Sequence, residues 1–282
     1  MLLRSRLRSS ANVTFRSLRR HLSDELPSTE QLFTGAPGTA VSVGPHASIR
    51  RTLDYTYHSL YQASRQAVQD TLITKYLESL PPQTEHPWLV HTAGPMGAGK
   101  SRTLRRLAQQ GAFPLSTFLR VDPDDIKGML PEAEAFVAQD RASASTRLHK
   151  ESLLIAEVIK LAAIAKGCNV IVDGSMRSEE WYEREWARVR VQEPRYRIAI
   201  LLVTAPQELV HQRVFQRGMQ TGREIPRSVI DDSISRALGT FFRLRPLADY
   251  AAHFDNGGME PTIVPPETMQ GFRDAWGTEG RE

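Results

Sequence analysis

Between Pro87 and Asp255 the chain alternates short apolar runs with stretches of helical periodicity. Trp88–Thr92, Thr117–Val121, Cys168–Val172, Ile198–Val203 and Ala251–Asp255 are apolar runs of strand length. Helices are predicted between and after them, at Lys100–Gln110, Ser145–Ala165, Glu179–Val191, Pro206–Arg217 and Pro226–Arg243. The longest of these is apolar at Leu148, Leu153, Ile155, Ile159, Leu161 and Ala162. A strand apolar at consecutive positions is buried on both faces, and the intervening helices are what can cover it. The pattern therefore predicts an α/β domain over 85–260: a doubly wound parallel sheet with helices on both faces.

Upstream the periodicity changes. Arg51–Leu80 carries apolar residues at Leu53, Tyr57, Leu60, Tyr61, Leu72, Ile73, Tyr76 and Leu77, the spacing of one or two amphipathic helices. Pro81 and Pro82 end them, because proline cannot continue the hydrogen-bond ladder. A unit this short buries too little to stand alone, so 51–84 is read as a helical segment packing on the core. Residues 23–50, rich in Gly, Pro, Ser and Thr, read as a linker, and 261–282 as a C-terminal tail.

Charge adds an address to this organisation. The 282 residues carry 36 Lys and Arg against 32 Asp and Glu, a net of +4 that by itself suggests nucleic acid or an acidic surface. The excess lies in residues 1–22, which hold Arg4, Arg6, Arg8, Arg16, Arg19 and Arg20 and no acid. Without them 30 basic face 32 acidic side chains, a net of −2, and nucleic-acid binding loses its compositional support. An Arg- and Ser-rich, acid-free leader without a continuous apolar stretch is the pattern of an organelle transit peptide. Arginine density favours the mitochondrial matrix over a plastid, with a plain basic tail on a cytoplasmic protein as the alternative. No run approaches the roughly 18 apolar residues of a membrane helix. The single cysteine, Cys168, cannot form an internal disulfide and reads as a small buried hydrophobe.

The chemistry begins after the first strand. Gly94-Pro95-Met96-Gly97-Ala98-Gly99-Lys100-Ser101 satisfies G-x-x-x-x-G-K-[ST] between a predicted strand and a predicted helix, the context a phosphate-binding P-loop requires. Its glycines let backbone N–H groups converge on phosphate oxygens, aided by the positive end of the following helix. Lys100 would reach the β and γ phosphates, and the Ser101 hydroxyl would ligate Mg²⁺. ATP or GTP with Mg²⁺ is the expected cofactor pair, ATP being the donor in the kinase reading below.

A P-loop does not name a reaction. Asp122, Asp124 and Asp125 follow the second strand at its carboxyl end, where open α/β sheets bind ligands. A carboxylate there can take the proton of a hydroxyl as a phosphoryl group arrives, and the same residues also make good helix-start chemistry. Asp173, ending the apolar run Val170–Val172, is placed like a metal-orienting acid beside Ser101. Arg213, Arg217 and Arg223 lie after the fourth strand, where guanidinium groups of a lid can neutralise a transferring phosphoryl. Arg213 and Arg217 are four apart on one helical face. Trp181, Tyr182 and Trp186 read as core and rim, and Asp255-Asn256 as a weak nucleotide-base signal.

These segments resemble the zeta toxin family of P-loop kinases, in its eukaryotic branch. GPMGAGKS, VDPDDIKGMLPE, SASTRLHKES, NVIVDGSMR and RGMQTGREIP occur in the family's order across 85–256. The resemblance implies an ATP-dependent kinase acting on a hydroxyl of a small, sugar-nucleotide-like acceptor, since bacterial members phosphorylate UDP-N-acetylglucosamine. It also implies that Asp124 is the catalytic base, as the second aspartate of a D-x-D-x-F-[RK] turn with Ile126 in the aromatic position. Glu151, Ser175 and Asp122 become acceptor contacts, and Arg217 and Arg223 the phosphate-contacting arginines. Two other readings stay open: a nucleotide or polynucleotide 5′-kinase, and a non-catalytic nucleotide-binding module that uses its N-terminal helices as an interaction surface. Neither the identity of the acceptor nor an antitoxin-like inhibitor is written in the pattern.

Overall fold

A computed structural model describes residues 26–35, 41–176, 178–221, 225 and 227–276. The basic leader and Arg223 lie outside the described residues. In chain order the described helices are α1 (Thr29–Phe33), α2 (Ala47–Arg50), α3 (Ala63–Leu77), α4 (Lys100–Gln109), α5 (Pro123–Met129) and α6 (Ala133–Gln139). They continue with α7 (Arg141–Arg147), α8 (His149–Ala165), α9 (Glu179–Gln192), α10 (Gln207–Thr221), α11 (Arg227–Leu244) and α12 (Met269–Trp276). The strands are β1 (Trp88–Ala93), β2 (Leu119–Val121), β3 (Val170–Val172), β4 (Arg197–Thr204), β5 (Tyr250–Asp255) and β6 (Thr262–Ile263). They divide between two compact units, one of Met1–Tyr76 with Pro123–Ile159 and one of Leu77–Asp122 with Lys160–Glu282.

The second unit is built on a sheet of order β2-β3-β1-β4-β5-β6. Neighbours from β2 to β5 are parallel, and β6 runs antiparallel to β5. The chain leaves β1 toward one edge and leaves β3 toward the other. The topological switch point is therefore the β1–β3 pair, and a ligand crevice is expected beyond its carboxyl ends.

Strand β4 shows why the run Ile198–Val203 is apolar at every position. Ala199, Leu201 and Val203 face one core with Leu104 and Leu107 of α4 and Phe272 and Trp276 of α12. Ile198, Ile200 and Leu202 face the other, with Tyr182 and Trp186 of α9 and Phe241 and Leu244 of α11. Both faces are buried, as the doubly wound reading requires. The expected C-terminal tail thus contains β6 and a helix of the core, with Phe272 fully buried against Phe113 and Phe254. Its apolar positions are few and short, so periodicity alone gave them no weight.

The first unit departs further from expectation. The predicted linker holds α1, closed by a capping box in which Ser28 and Gln31 serve each other's backbone N–H groups. The predicted helix at 51–80 starts only at Ala63, and the face it buries is polar: Arg65, Gln66, Gln69 and Asp70 beside Ile73. Arg50 pairs with Asp70 at 2.7 Å, and Gln66 donates to the carbonyls of Val41 and Tyr61 at 2.8 Å. Apolar periodicity identified the helix but not its buried side. The long helix expected from Ser145 is broken at Leu148, a buried residue, so the apolar pattern runs through the break.

Candidate functional site

The P-loop joins β1 to α4 beyond the carboxyl end of the sheet. Gly94 has φ 132°, and a Cβ built on it would lie 2.2 Å from the Val203 carbonyl oxygen. Gly99 has φ 89°, and its Cβ would lie 2.2 Å from Asn256 Nδ2. Only glycine fits both positions, because the left-handed conformation and the close approach each exclude a side chain. Pro95 and Ala98 are buried, and Met96 packs against Val210, Val214 and Ile230. The loop is thus held from beneath by apolar contact while Gly99 opens α4 without a capping side chain.

Two residues from other elements brace the loop. Asn256, just after β5 and 1% exposed, donates through Nδ2 to the Ala98 carbonyl at 2.8 Å. Arg213 of α10 donates to the carbonyls of Gly97, Ala98 and Asn256 at 3.4, 3.3 and 3.1 Å. Burial, and then the nearby Arg102 charge, lower the Arg213 pKa from its ordinary value. Arg213 is therefore the guanidinium on the loop, whereas Arg217 one turn later is exposed. The shared helical face left the two equivalent and the resemblance had put Arg217 forward; the packing of α10 brings Arg213 onto the loop carbonyls.

Lys100 turns back over the loop, its ammonium donating to the Gly94 and Pro95 carbonyls at 3.0 and 3.4 Å. Ser101 donates to Asp173 Oδ2 at 3.2 Å, which joins the P-loop hydroxyl to the acid at the end of β3. Thr92 orients that acid: its buried hydroxyl donates to Asp173 Oδ1 at 2.9 Å and accepts from the Gly174 N–H at 3.1 Å. Arg120 of β2 completes the cluster, with Nη2 at 2.6 Å from Asp122, 3.1 Å from Asp173 and 3.2 Å from Ser101. Ser175, half-buried, follows two residues after Asp173.

This donor set fits Mg²⁺. It offers one hydroxyl and two carboxylates, hard oxygens in the number that leaves coordination positions for phosphates and water. The cluster already accommodates a cationic group, the Arg120 guanidinium. Thr92 and Arg120 were not singled out as site residues by sequence reasoning, and Asn256 was read only within a weak nucleotide-base signal, whereas its amide braces the loop. The legible signals were an arginine within the predicted strand Thr117–Val121, and a polar pair closing the last predicted strand.

The remaining predicted residues belong to the first unit. Asp124 lies in the first turn of α5, half exposed, and accepts from Lys127 Nζ at 2.7 Å. Lys127 also donates to Ser145 at 3.1 Å, so the lysine that holds Asp124 is itself fixed. Ile126 is buried, a packing residue rather than an exposed one. Glu151 is 0% exposed. Its oxygens accept from Arg65 Nε and Nη2 at 2.6 and 2.8 Å and from Gln69 at 2.8 Å. Arg65 also forks onto Glu132 at 2.8 and 2.7 Å. Glu151 is therefore part of a buried ion network.

The zeta toxin family model matches residues 71–252. No curated protein matches the chain significantly. Among solved structures, that of the PezAT chromosomal toxin–antitoxin system of Streptococcus pneumoniae is similar at 15% identity and TM-score 0.58, covering 72% of this chain and 80% of the other. The AvrRxo1-ORF1:-ORF2 complex with ATP is similar at 16% identity and TM-score 0.58, covering 85% and 76%. At these identities the likeness is one of fold. The family match spans the P-loop, the acidic turn after β2 and Asp173, and so this chain belongs to the zeta toxin family of P-loop kinases.

Proposed function

We propose that this chain transfers the γ-phosphoryl group of ATP to a hydroxyl of a small, sugar-nucleotide-like acceptor. One observation carries the reading: the glycine loop ends at Ser101, whose hydroxyl bonds Asp173 at the switch point of the sheet. Family membership and the ATP-bound AvrRxo1 complex support ATP as the donor. In this reading Lys100 leaves its loop carbonyls for the β and γ phosphates, exchanging two neutral acceptors for charged ones.

Ser101 and Asp173 are the residues that would hold Mg²⁺, with Thr92 fixing the carboxylate. A bound Mg²⁺ supplies charge neutralisation between phosphates. Asp124 accepts the acceptor's proton, its orientation kept by Lys127. Arg217 and Arg223 neutralise the phosphoryl group, and Arg213 positions the loop beneath it. Asp122 and Ser175 are assigned to the acceptor. The oxygens of Glu151 are engaged by Arg65, so we assign it to holding the unit together.

The test is a screen with γ-labelled ATP against UDP-sugars, nucleotides and 5′-hydroxyl oligonucleotides. Label is expected on the sugar nucleotide; label on the oligonucleotide alone would sink the acceptor assignment. Lys100→Ala is expected to abolish ATP turnover. Asp124→Ala should retain ATP binding and lose transfer, and an unchanged transfer rate would refute the mechanism. The basic leader supports import into the mitochondrial matrix, which fusion of residues 1–30 to a fluorescent protein tests; a diffuse cytoplasmic or a plastid signal would count against it.

A further inference from the structure

Arg120 stands at the centre of β2, flanked by the buried Leu119 and Val121. Its side chain turns to the carboxyl end of the sheet, where a single nitrogen, Nη2, contacts Asp122, Asp173 and Ser101 within 3.2 Å. The oxygens it touches on Asp173 and Ser101 are those through which a metal ion would be held. The Ser101 hydroxyl cannot give the same lone pair to a guanidinium and to a cation. Nor does a divalent ion sit favourably a few ångströms from a fixed positive charge. Yet the arginine is 34% exposed, which leaves its long side chain able to swing aside.

We propose that Arg120 is a built-in counter-cation that couples metal binding to nucleotide binding. It neutralises half the charge of the Asp122–Asp173 pair and so keeps the affinity for a bare divalent ion low. Phosphates arriving with the ion offer the guanidinium planar bidentate partners, and Arg120 then passes from the carboxylates to phosphate oxygens. Thermodynamic linkage makes the effect reciprocal: the nucleotide strengthens metal binding by the factor with which the metal strengthens nucleotide binding. The inference rests on reading Gly94–Ser101 and Asp173 as a metal–nucleotide site.

Mn²⁺ binding to the full chain, followed by electron paramagnetic resonance, tests it without any turnover. With Mn²⁺ alone, Arg120→Met is expected to bind at least roughly tenfold tighter than the parent, the scale of one neighbouring charge at a partly exposed site. Arg120→Lys, which keeps the charge, should stay within about threefold of the parent, less than the charge effect. Repeating the titration with ADP present should show the nucleotide's enhancement shrinking in Arg120→Met by the factor gained without it. Unchanged or weaker Mn²⁺ binding by Arg120→Met, with an unaltered circular-dichroism melt, overturns the proposal. Should Arg120→Met fail to fold, Arg120→Gln removes the charge while keeping hydrogen-bond donors, and the same outcomes apply. Asp173→Asn separates the two levels: if it binds Mn²⁺ as the parent does, the metal site itself has been misassigned and both readings fall.

Discussion

Replacing Arg65 by methionine tests the polar interior of the first unit. The guanidinium makes four hydrogen bonds of 2.6 to 2.8 Å to Glu132 and Glu151, and the three side chains are 4%, 4% and 0% exposed. It also lies 4.1 Å over the Phe33 ring. Burial acts to lower the Arg65 pKa, but the bonds and charges of Glu151 and Glu132 more than reverse this, so it stays firmly charged. Methionine fills similar volume yet removes the guanidinium from both carboxylates, and among the described residues leaves only Gln69 as a donor to Glu151. Breaking a buried pair in this way costs about 3–5 kcal/mol, against a typical domain stability of about 5–15 kcal/mol. Urea unfolding followed by far-ultraviolet circular dichroism should therefore show a loss of about 3 kcal/mol or more. Adding Glu132→Gln and Glu151→Leu should restore much of it, because removing a whole network is far less costly than orphaning its charges. A loss below about 1 kcal/mol, the worth of an exposed pair, would refute the reasoning.

Three further outcomes follow from the second unit. Gly99→Ala strains a left-handed position and drives a Cβ onto Asn256, so binding of a fluorescent ATP analogue should weaken by at least about tenfold while the fold survives; parent-like binding would show the loop to be more yielding than drawn. His91 is buried in β1, neither ring nitrogen is hydrogen-bonded among the described residues, and burial followed by the Lys160 charge pushes its pKa down to about 3. Between that value and about 6.5 the unfolded chain binds a proton that the folded one does not, so stability should fall with acid by up to about 1.4 kcal/mol per pH unit in urea melts, and His91→Gln should flatten the slope. Phe272→Ala, in the helix beyond the predicted domain, should cost about 3–5 kcal/mol in the same melts; a cost near zero would return that segment to the status of a tail.

The P-loop was legible because its chemistry is local. Phosphate binding by backbone groups demands glycines at fixed spacing between a strand and a helix, and both elements announce themselves by period. Strand β4 was legible for a related reason: burial on both faces removes polar residues from the run Ile198–Val203. Strands β1, β2 and β5 each keep a polar residue, His91, Arg120 and His253, within a mostly apolar run. Arg213 was harder. Sequence places it and Arg217 on one helical face, and only the packing of α10 over the loop distinguishes them.

What sequence determined by itself is thus the α/β class, the nucleotide loop, the order of the acidic residues and the location of the excess charge. Tertiary structure decided which charges are spent on one another. Arg65 with Glu151, Arg120 with Asp173, and Asn256 with the Ala98 carbonyl are separated by 86, 53 and 158 residues along the chain. Such pairs leave no periodic trace, because each partner alone looks like an ordinary surface residue. Their energy comes from desolvation and mutual geometry, which exist only once the chain has folded.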